Sequence, residues 1–239
     1  TLLHVFSAGN SNNNNCGYGA GNQWGNVTGG HKIGKNAIAV ANLTNQDIIA
    51  GSSSRGPAAD GRIKPDISAS GTSIYSTIDP NTYGFKTGTS MSCPGVSGTI
   101  AQLFHAYKTT HPGQEPNSGL IKSIVLNTAE DLGNAGPDFI FGYGRINARR
   151  AYEVIEGDFF VLDSVSNGQT DTTTITVPAN VANLRVMVYW VDPSGTAGAA
   201  KALVNDLDFQ LIAPSNTSYQ PWVLNPTPNA TTLDLPAAR

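Results

Sequence analysis

Apolar residues come in short, dense runs separated by long polar stretches. Ala37-Ile38-Ala39-Val40-Ala41 is continuously apolar, the mark of a strand covered on both faces. Leu2 to Ala8, Lys64 to Ala69 and Tyr83 to Thr87 predict three more short strands, the first of them buried. Leu120, Ile121, Ile124 and Val125 recur at helical spacing and predict a helix from Ser118 to Thr128. A longer helix is expected from Pro94 to about Lys108, stopped by His111-Pro112-Gly113, and a short one from Asn147 to Val154. Strands interleaved with helices predict an α/β sheet. Ser11 to Gly30 is a long polar loop holding four consecutive Asn, a length that is uncommon unless the loop is functional or pinned.

After Gly157 the pattern changes. Phe159 to Leu162, Thr170 to Val177, Leu184 to Trp190 and Leu207 to Ile212 are short runs between turn residues, two of them alternating with period two. No helical period is evident there. The chain therefore divides into an α/β part, residues 1–156, and an all-β sandwich or jelly roll, residues 157–239.

Composition narrows the function classes. Only 13% of the 239 residues are charged, and small residues abound, which suits a loop-rich extracellular protein. A net charge of −3 leaves no electrostatic footprint for nucleic acid. No apolar run approaches the ~18 residues of a membrane span. Thr1 to Ser7 has no basic start and begins as if in mid-strand, so the chain is expected to be cut from a longer one. Cys16 and Cys93 are either one bridge or two thiols.

The candidate chemistry lies at Gly88-Thr89-Ser90-Met91-Ser92-Cys93-Pro94. Ser90 falls where a buried helix is expected to begin. It could cap that helix, or it could serve as a nucleophile whose developing charge the helix terminus favours. Upstream, Ser7-Ala8-Gly9-Asn10 ends a strand in a Gly-Asn turn. Such a turn is ordinary, but its amide could also donate to an oxyanion.

Together these motifs resemble the subtilisin-like serine proteases, the subtilases. Gly88 to Pro94 resembles the family's nucleophile motif, and Ser7 to Asn10 its oxyanion motif. Asn36 to Ala41, Ser53 to Pro57, Lys64 to Gly71 and Gly142 to Asn147 resemble its intervening and closing segments, in order. Val188 to Asp192 and Leu203 to Asp208 are similar to the jelly roll of the subgroup typified by the alkaline protease KP-43.

The resemblance implies a parallel sheet with helices on both faces, of which this chain would hold the C-terminal half, and a secreted endopeptidase acting on polypeptides. Ser90 would be the nucleophile and Asn10 the oxyanion donor, with Ser7, Ala8, Gly9 and Thr89 binding substrate. No cofactor would take part in catalysis. Structural calcium would suit Asp192, Asp206 and Asp208, with ordinary turn or surface carboxylates as the alternative.

In that family the triad Asp and His precede the oxyanion motif, and no such motif is found here. His4 is expected in the core, His31 in a loop lining the cleft, His105 far along the nucleophile helix and His111 at its end. None of the four matches a triad motif. The N-terminal part of the same catalytic domain is the implied partner, and the chain alone is expected to be inactive.

Overall fold

The computed structural model describes residues 2–239. Its centre is a parallel sheet in the order β1 (Val5–Ser7), β2 (Ile38–Leu43), β3 (Ile67–Ser70). Val5 stands opposite Ile38, and Val40 opposite Ile67. Every residue of β2 is buried, as its unbroken apolar run requires. Among the described residues β1 pairs with β2 alone and is only half-buried, so the expectation of a buried first strand is corrected: one edge of β1 carries no neighbouring strand there. On the far side, Ser68 of β3 bridges to Arg145.

A hairpin of β4 (Ile74–Ile78) and β5 (Thr82–Lys86) leads from the sheet into α1 (Thr89–Thr110). α2 (Ser118–Asn127) and α3 (Ala148–Glu156) follow close to their expected bounds. α1 starts at Thr89, beside the start expected at Ser90, and Pro94 lies inside the helix and not at its head. Proline has no N–H to give the Ser90 carbonyl, a loss tolerated near a helix start more readily than at its centre.

Ile38, Val40, Ile67 and Ala69 share one apolar cluster with Val96, Ile100 and Leu103 of α1, Ile121 and Val125 of α2, and Ala151 and Ile155 of α3. The three long helices thus cover one face. The expected arrangement of helices on both faces is not formed among the described residues. Ala8 and Ala39 on the other face pack instead against Val27 and Ile33, the latter in a 3-10 turn (Gly30–Ile33). Alanine side chains there let the loops carrying Val27 and Ile33 approach closely.

Beneath the sheet, Asp66 is buried between two lysines. Lys64 Nζ lies 2.5 Å from Oδ2 and Lys122 Nζ 3.1 Å from Oδ1. Lys64 also donates to the carbonyls of Gly34 and Ala37, and Lys122 to those of Lys35 and Ala37. Burial pushes the Asp66 carboxyl up, but the two ammonium groups outweigh it and hold it below the usual range.

Beyond Gly157 the expected sandwich is not formed. Among the described residues the only strands there are β6 (Leu211–Ile212) and β7 (Ser218–Tyr219), followed by the single turn α4 (Ala230–Leu233). The runs 159–162, 170–177 and 184–190 make no strand. Ile175 and Val177 are 44% and 45% exposed, and Val186 and Val188 are exposed likewise. Alternation predicts two faces but supplies no partner, and an unpaired strand with nothing over its apolar face gains too little to order. The segment is held to the rest by polar anchors. Asp192 takes Lys35 Nζ at 2.5 Å and the N–H groups of Val204 and Asn205. Arg185 donates to the Ala129 carbonyl.

Candidate active site

The catalytic candidates meet where β1 ends and α1 begins. Ala8 N–H bonds the Val40 carbonyl and Ser54 N–H bonds that of Gly9, which carries the Ser7–Asn10 turn on past the sheet. From the other side, Asn10 Oδ1 accepts Thr89 N–H at 3.0 Å and the Thr89 hydroxyl at 3.2 Å. Gly9 N–H donates to Thr89 Oγ1 at 3.2 Å. Two segments eighty residues apart are thus locked together one residue before Ser90.

That lock has a chemical consequence. With Oδ1 committed to Thr89, the Asn10 amide nitrogen is turned away from its partner's donors, and it makes no hydrogen bond among the described residues. Ser90 is exposed at the second residue of α1. The N–H groups on either side are spoken for, Thr89 by Asn10 and Met91 by the Gly88 carbonyl. The Ser90 N–H is left over at the positive end of the helix. The Ser90 hydroxyl and N–H thus stand one residue beyond the Asn10–Thr89 contact.

Glycine is required at the junction. A β-carbon on Gly88 would stand 3.2 Å from Asn10 Nδ2, and Gly88 has φ +155°. Behind it, a β-carbon on Gly71 would lie 2.1 Å from Ser92 Oγ and 2.7 Å from the Gly88 carbonyl. The close approach of these loops to α1 depends on both glycines.

The other expected site residues are placed differently. Ala8 and Thr89 are fully buried, so their side chains support the turn and present no surface. Ser7 is half-buried in β1, and Gly9 half-buried beside it. His4 is exposed, not in the core; it stacks on Phe6 with centroids 6.1 Å apart. His31 packs edge-on against Phe6. His105, fifteen residues along α1 from Ser90, is roughly 22 Å away at helical rise. His111 ends α1 as expected, its Nε2 2.6 Å from Asp158. Among the described residues no histidine is placed against Ser90.

Asp192, Asp206 and Asp208 do not converge. Asp192 is buried on Lys35, whereas Asp206 and Asp208 are exposed. No group of three or more His, Cys, Asp or Glu among the described residues is arranged to hold a metal ion. Burial pushes the Asp192 carboxyl up, but the Lys35 hydrogen bond and two backbone N–H groups outweigh it and bring it to about 2. Cys16 and Cys93 are both free thiols, and burial pushes Cys93 up. No helix among the described residues is long and apolar enough to cross a membrane.

Sequence reasoning missed Lys32 and Ser54. Both press against the face of Gly9 where a side chain would be, Lys32 Nζ and Ser54 Oγ each 2.9 Å from that point. Ser54 falls within the Ser53 to Pro57 segment and Lys32 in no motif, and neither pattern shows that they reach Gly9 from separate loops.

The geometry agrees with known proteins. A family model described as the subtilase family (peptidase S8) matches residues 1–144. The chain is 31% identical over 191 residues to a C5a peptidase of Streptococcus pyogenes serotype M6, covering 70% of this chain and 16% of that protein. It is 34% identical over 172 residues to an extracellular serine protease of Serratia marcescens, covering 62% of this chain and 15% of that one. It thus spans about a sixth of the length of these relatives. The solved protease domain of PatA, an S218A mutant, shares the fold with a TM-score of 0.50 at 20% identity, over 65% of this chain and 49% of that one. With the motifs, the parallel sheet and a match across more than half its length in agreement, the chain belongs to the subtilase family.

Proposed function

We propose that this protein is a serine endopeptidase in which Ser90 Oγ attacks a peptide carbonyl and is acylated. The carbonyl oxygen takes up negative charge between the Asn10 amide and the Ser90 N–H, and water then releases the acyl group. The observation that carries the reading is the Asn10–Thr89 lock, which uses the acceptor half of the amide and leaves its donor half for the oxyanion. The serine proteases among the relatives support it, and the name of the Serratia protein supports an extracellular location.

A serine hydroxyl is a poor nucleophile at neutral pH without a base. The base and its orienting carboxylate would come from a polypeptide segment docking on the open edge of β1, which offers an unpaired row of backbone groups a few residues from Asn10. Chain lacking that segment is inactive on this reading.

The test is peptide hydrolysis by the native protein. Ser90→Ala abolishes turnover. Asn10→Ala lowers kcat about 100- to 1000-fold with little change in KM, the size of effect measured for the corresponding donor in subtilisin itself. Full activity in folded Ser90→Ala protein would refute the assignment.

A further inference from the structure

The far end of the chain folds back towards the loop that follows Asn10. Val223 and Ala238 exchange two backbone hydrogen bonds of 2.8 Å, which close residues 223–238 into a lobe around α4. Asn229 caps α4, its Oδ1 accepting the Thr232 N–H at 3.1 Å. Leu233 of that turn is buried against Trp24 and Phe139, with Leu224 packed on the same cluster. The Tyr18 hydroxyl donates to the Pro226 carbonyl. Gly19 comes so near the lobe that a β-carbon on it would stand 3.1 Å from Pro228 Cβ. Tyr18, Gly19 and Trp24 all belong to the polar loop 11–30, and a loop of that length needs such pinning to keep one shape.

From Trp24 the contacts run on to the oxyanion candidate. The Arg55 guanidinium lies 5.7 Å over the Trp24 ring. Asn26 accepts the Arg55 N–H at 2.7 Å and donates its own amide to the Asn12 carbonyl at 3.2 Å. That carbonyl also takes the Gln23 N–H at 2.8 Å. Asn12 is buried and donates to the Gly51 carbonyl at 2.9 Å, while the Ser11 N–H bonds Ser54 Oγ at 3.0 Å. Asn10 is thus held from two sides. Thr89 fixes its side chain, and the chain that leaves it runs into a loop backed by the 223–238 lobe.

We propose that the 223–238 lobe is a positioning brace for Asn10, keeping its amide where an oxyanion needs a donor. The proposal rests on the serine peptidase reading above. Leu233 and Tyr18 act through Asn10 and take no part in bond breaking. Misplacement by about 1 Å from a distant change can cost about 100-fold in rate, so such a brace has a kinetic effect to exert.

The experiment measures backbone hydrogen exchange and peptide hydrolysis in the native protein and in Leu233→Asp and Tyr18→Phe, each with Asn10 present and with Asn10→Ala. Leu233→Asp places a charge between Trp24 and Phe139 and should release the lobe. Amides of loop 11–30 should then exchange roughly 10-fold faster or more. The expected kcat is about 10-fold lower at nearly unchanged KM, a fraction of what a whole oxyanion donor contributes. Added to Asn10→Ala, the same change should lower kcat no further, because the residue it acts through is gone. Tyr18→Phe removes one hydroxyl, puts the fold at little risk, and should shift exchange and kcat the same way by roughly 2- to 5-fold. Leu233→Met keeps the volume and should stay close to native. Faster exchange with kcat untouched, or an equal fall in kcat with and without Asn10, overturns the brace and leaves the peptidase reading standing. Unchanged exchange of loop 11–30 in both variants overturns the brace as well. No turnover by correctly folded native protein overturns the peptidase reading, and the brace as a catalytic device with it.

Discussion

Residues 2–156 and 157–239 carry similar runs of β-branched and aromatic side chains, yet only the first part builds a core. Ile38, Val40, Ile67 and Ile121 are at most marginally exposed, whereas Ile175, Val177, Val188 and Val204 lie 44–50% exposed. Beyond Gly157 the buried apolar residues are Leu233 and Ala237 alone, and Leu233 is buried against Trp24 and Phe139 of the first part. The difference is one of partners. In the first part each strand finds a neighbour and each helix an apolar face to cover; the second is held by polar anchors such as Asp192–Lys35 and by a few apolar side chains, Phe160, Met187 and Leu233, set against the first part's clusters. Stability of the site should therefore come from the first part, and attachment of the second should depend in good part on its polar anchors.

Substitutions can break that contrast. The largest effect is expected at Asp66→Asn, which leaves two buried ammonium groups facing one amide. Loss of about 3–5 kcal/mol in urea unfolding is the expected scale for an orphaned buried charge. A loss under 1 kcal/mol would mean that the triad is not sealed from water.

Next is a matched pair. Ile121→Ala empties a fully buried site and should cost about 2–5 kcal/mol. Ile175→Ala, at 44% exposure, should stay within about 0.5 kcal/mol. Equal costs would show that the second part has a core of its own.

The pH dependence sharpens the comparison. The Asp192 carboxyl is held at about 2, below its ordinary value near 4. A depressed carboxylate contributes fully above its unfolded value, and the contribution is lost as pH falls from about 4 towards 2. Limited proteolysis of the 157–239 segment should accelerate across that window, and the Asp192→Asn protein separates this from the loss that the first part suffers at Asp66 in acid. In Asp192→Asn protein the segment should be cut readily at every pH, with little change at pH 7 in the global unfolding midpoint.

The sequence exposed some of this better than the rest, for physical reasons. β2, α2 and α3 were legible because an unbroken apolar run and a helical period each depend on neighbouring residues alone. The Ser7–Asn10 and Gly88–Pro94 motifs were legible because the lock between them needs particular residue types: glycine at 88, an amide at 10, a hydroxyl at 89. Lys122 carried no reading from the sequence, since its partner Asp66 lies far along the chain. Lys32 and Ser54 escaped notice for the same reason. The sandwich was expected from alternation, which specifies faces and is silent about what covers them. His4 was misplaced because what covers a side chain beside a strand is decided by distant parts of the chain.

The central claim is that Ser90 is a nucleophile served by Asn10. Its most direct test is a fluorophosphonate reaction on the native protein, with peptide mapping of the adduct by mass spectrometry. The account predicts one adduct, on Ser90, absent in Ser90→Ala and formed much more slowly in Asn10→Ala. An adduct on another residue, or none on correctly folded native protein, would contradict it.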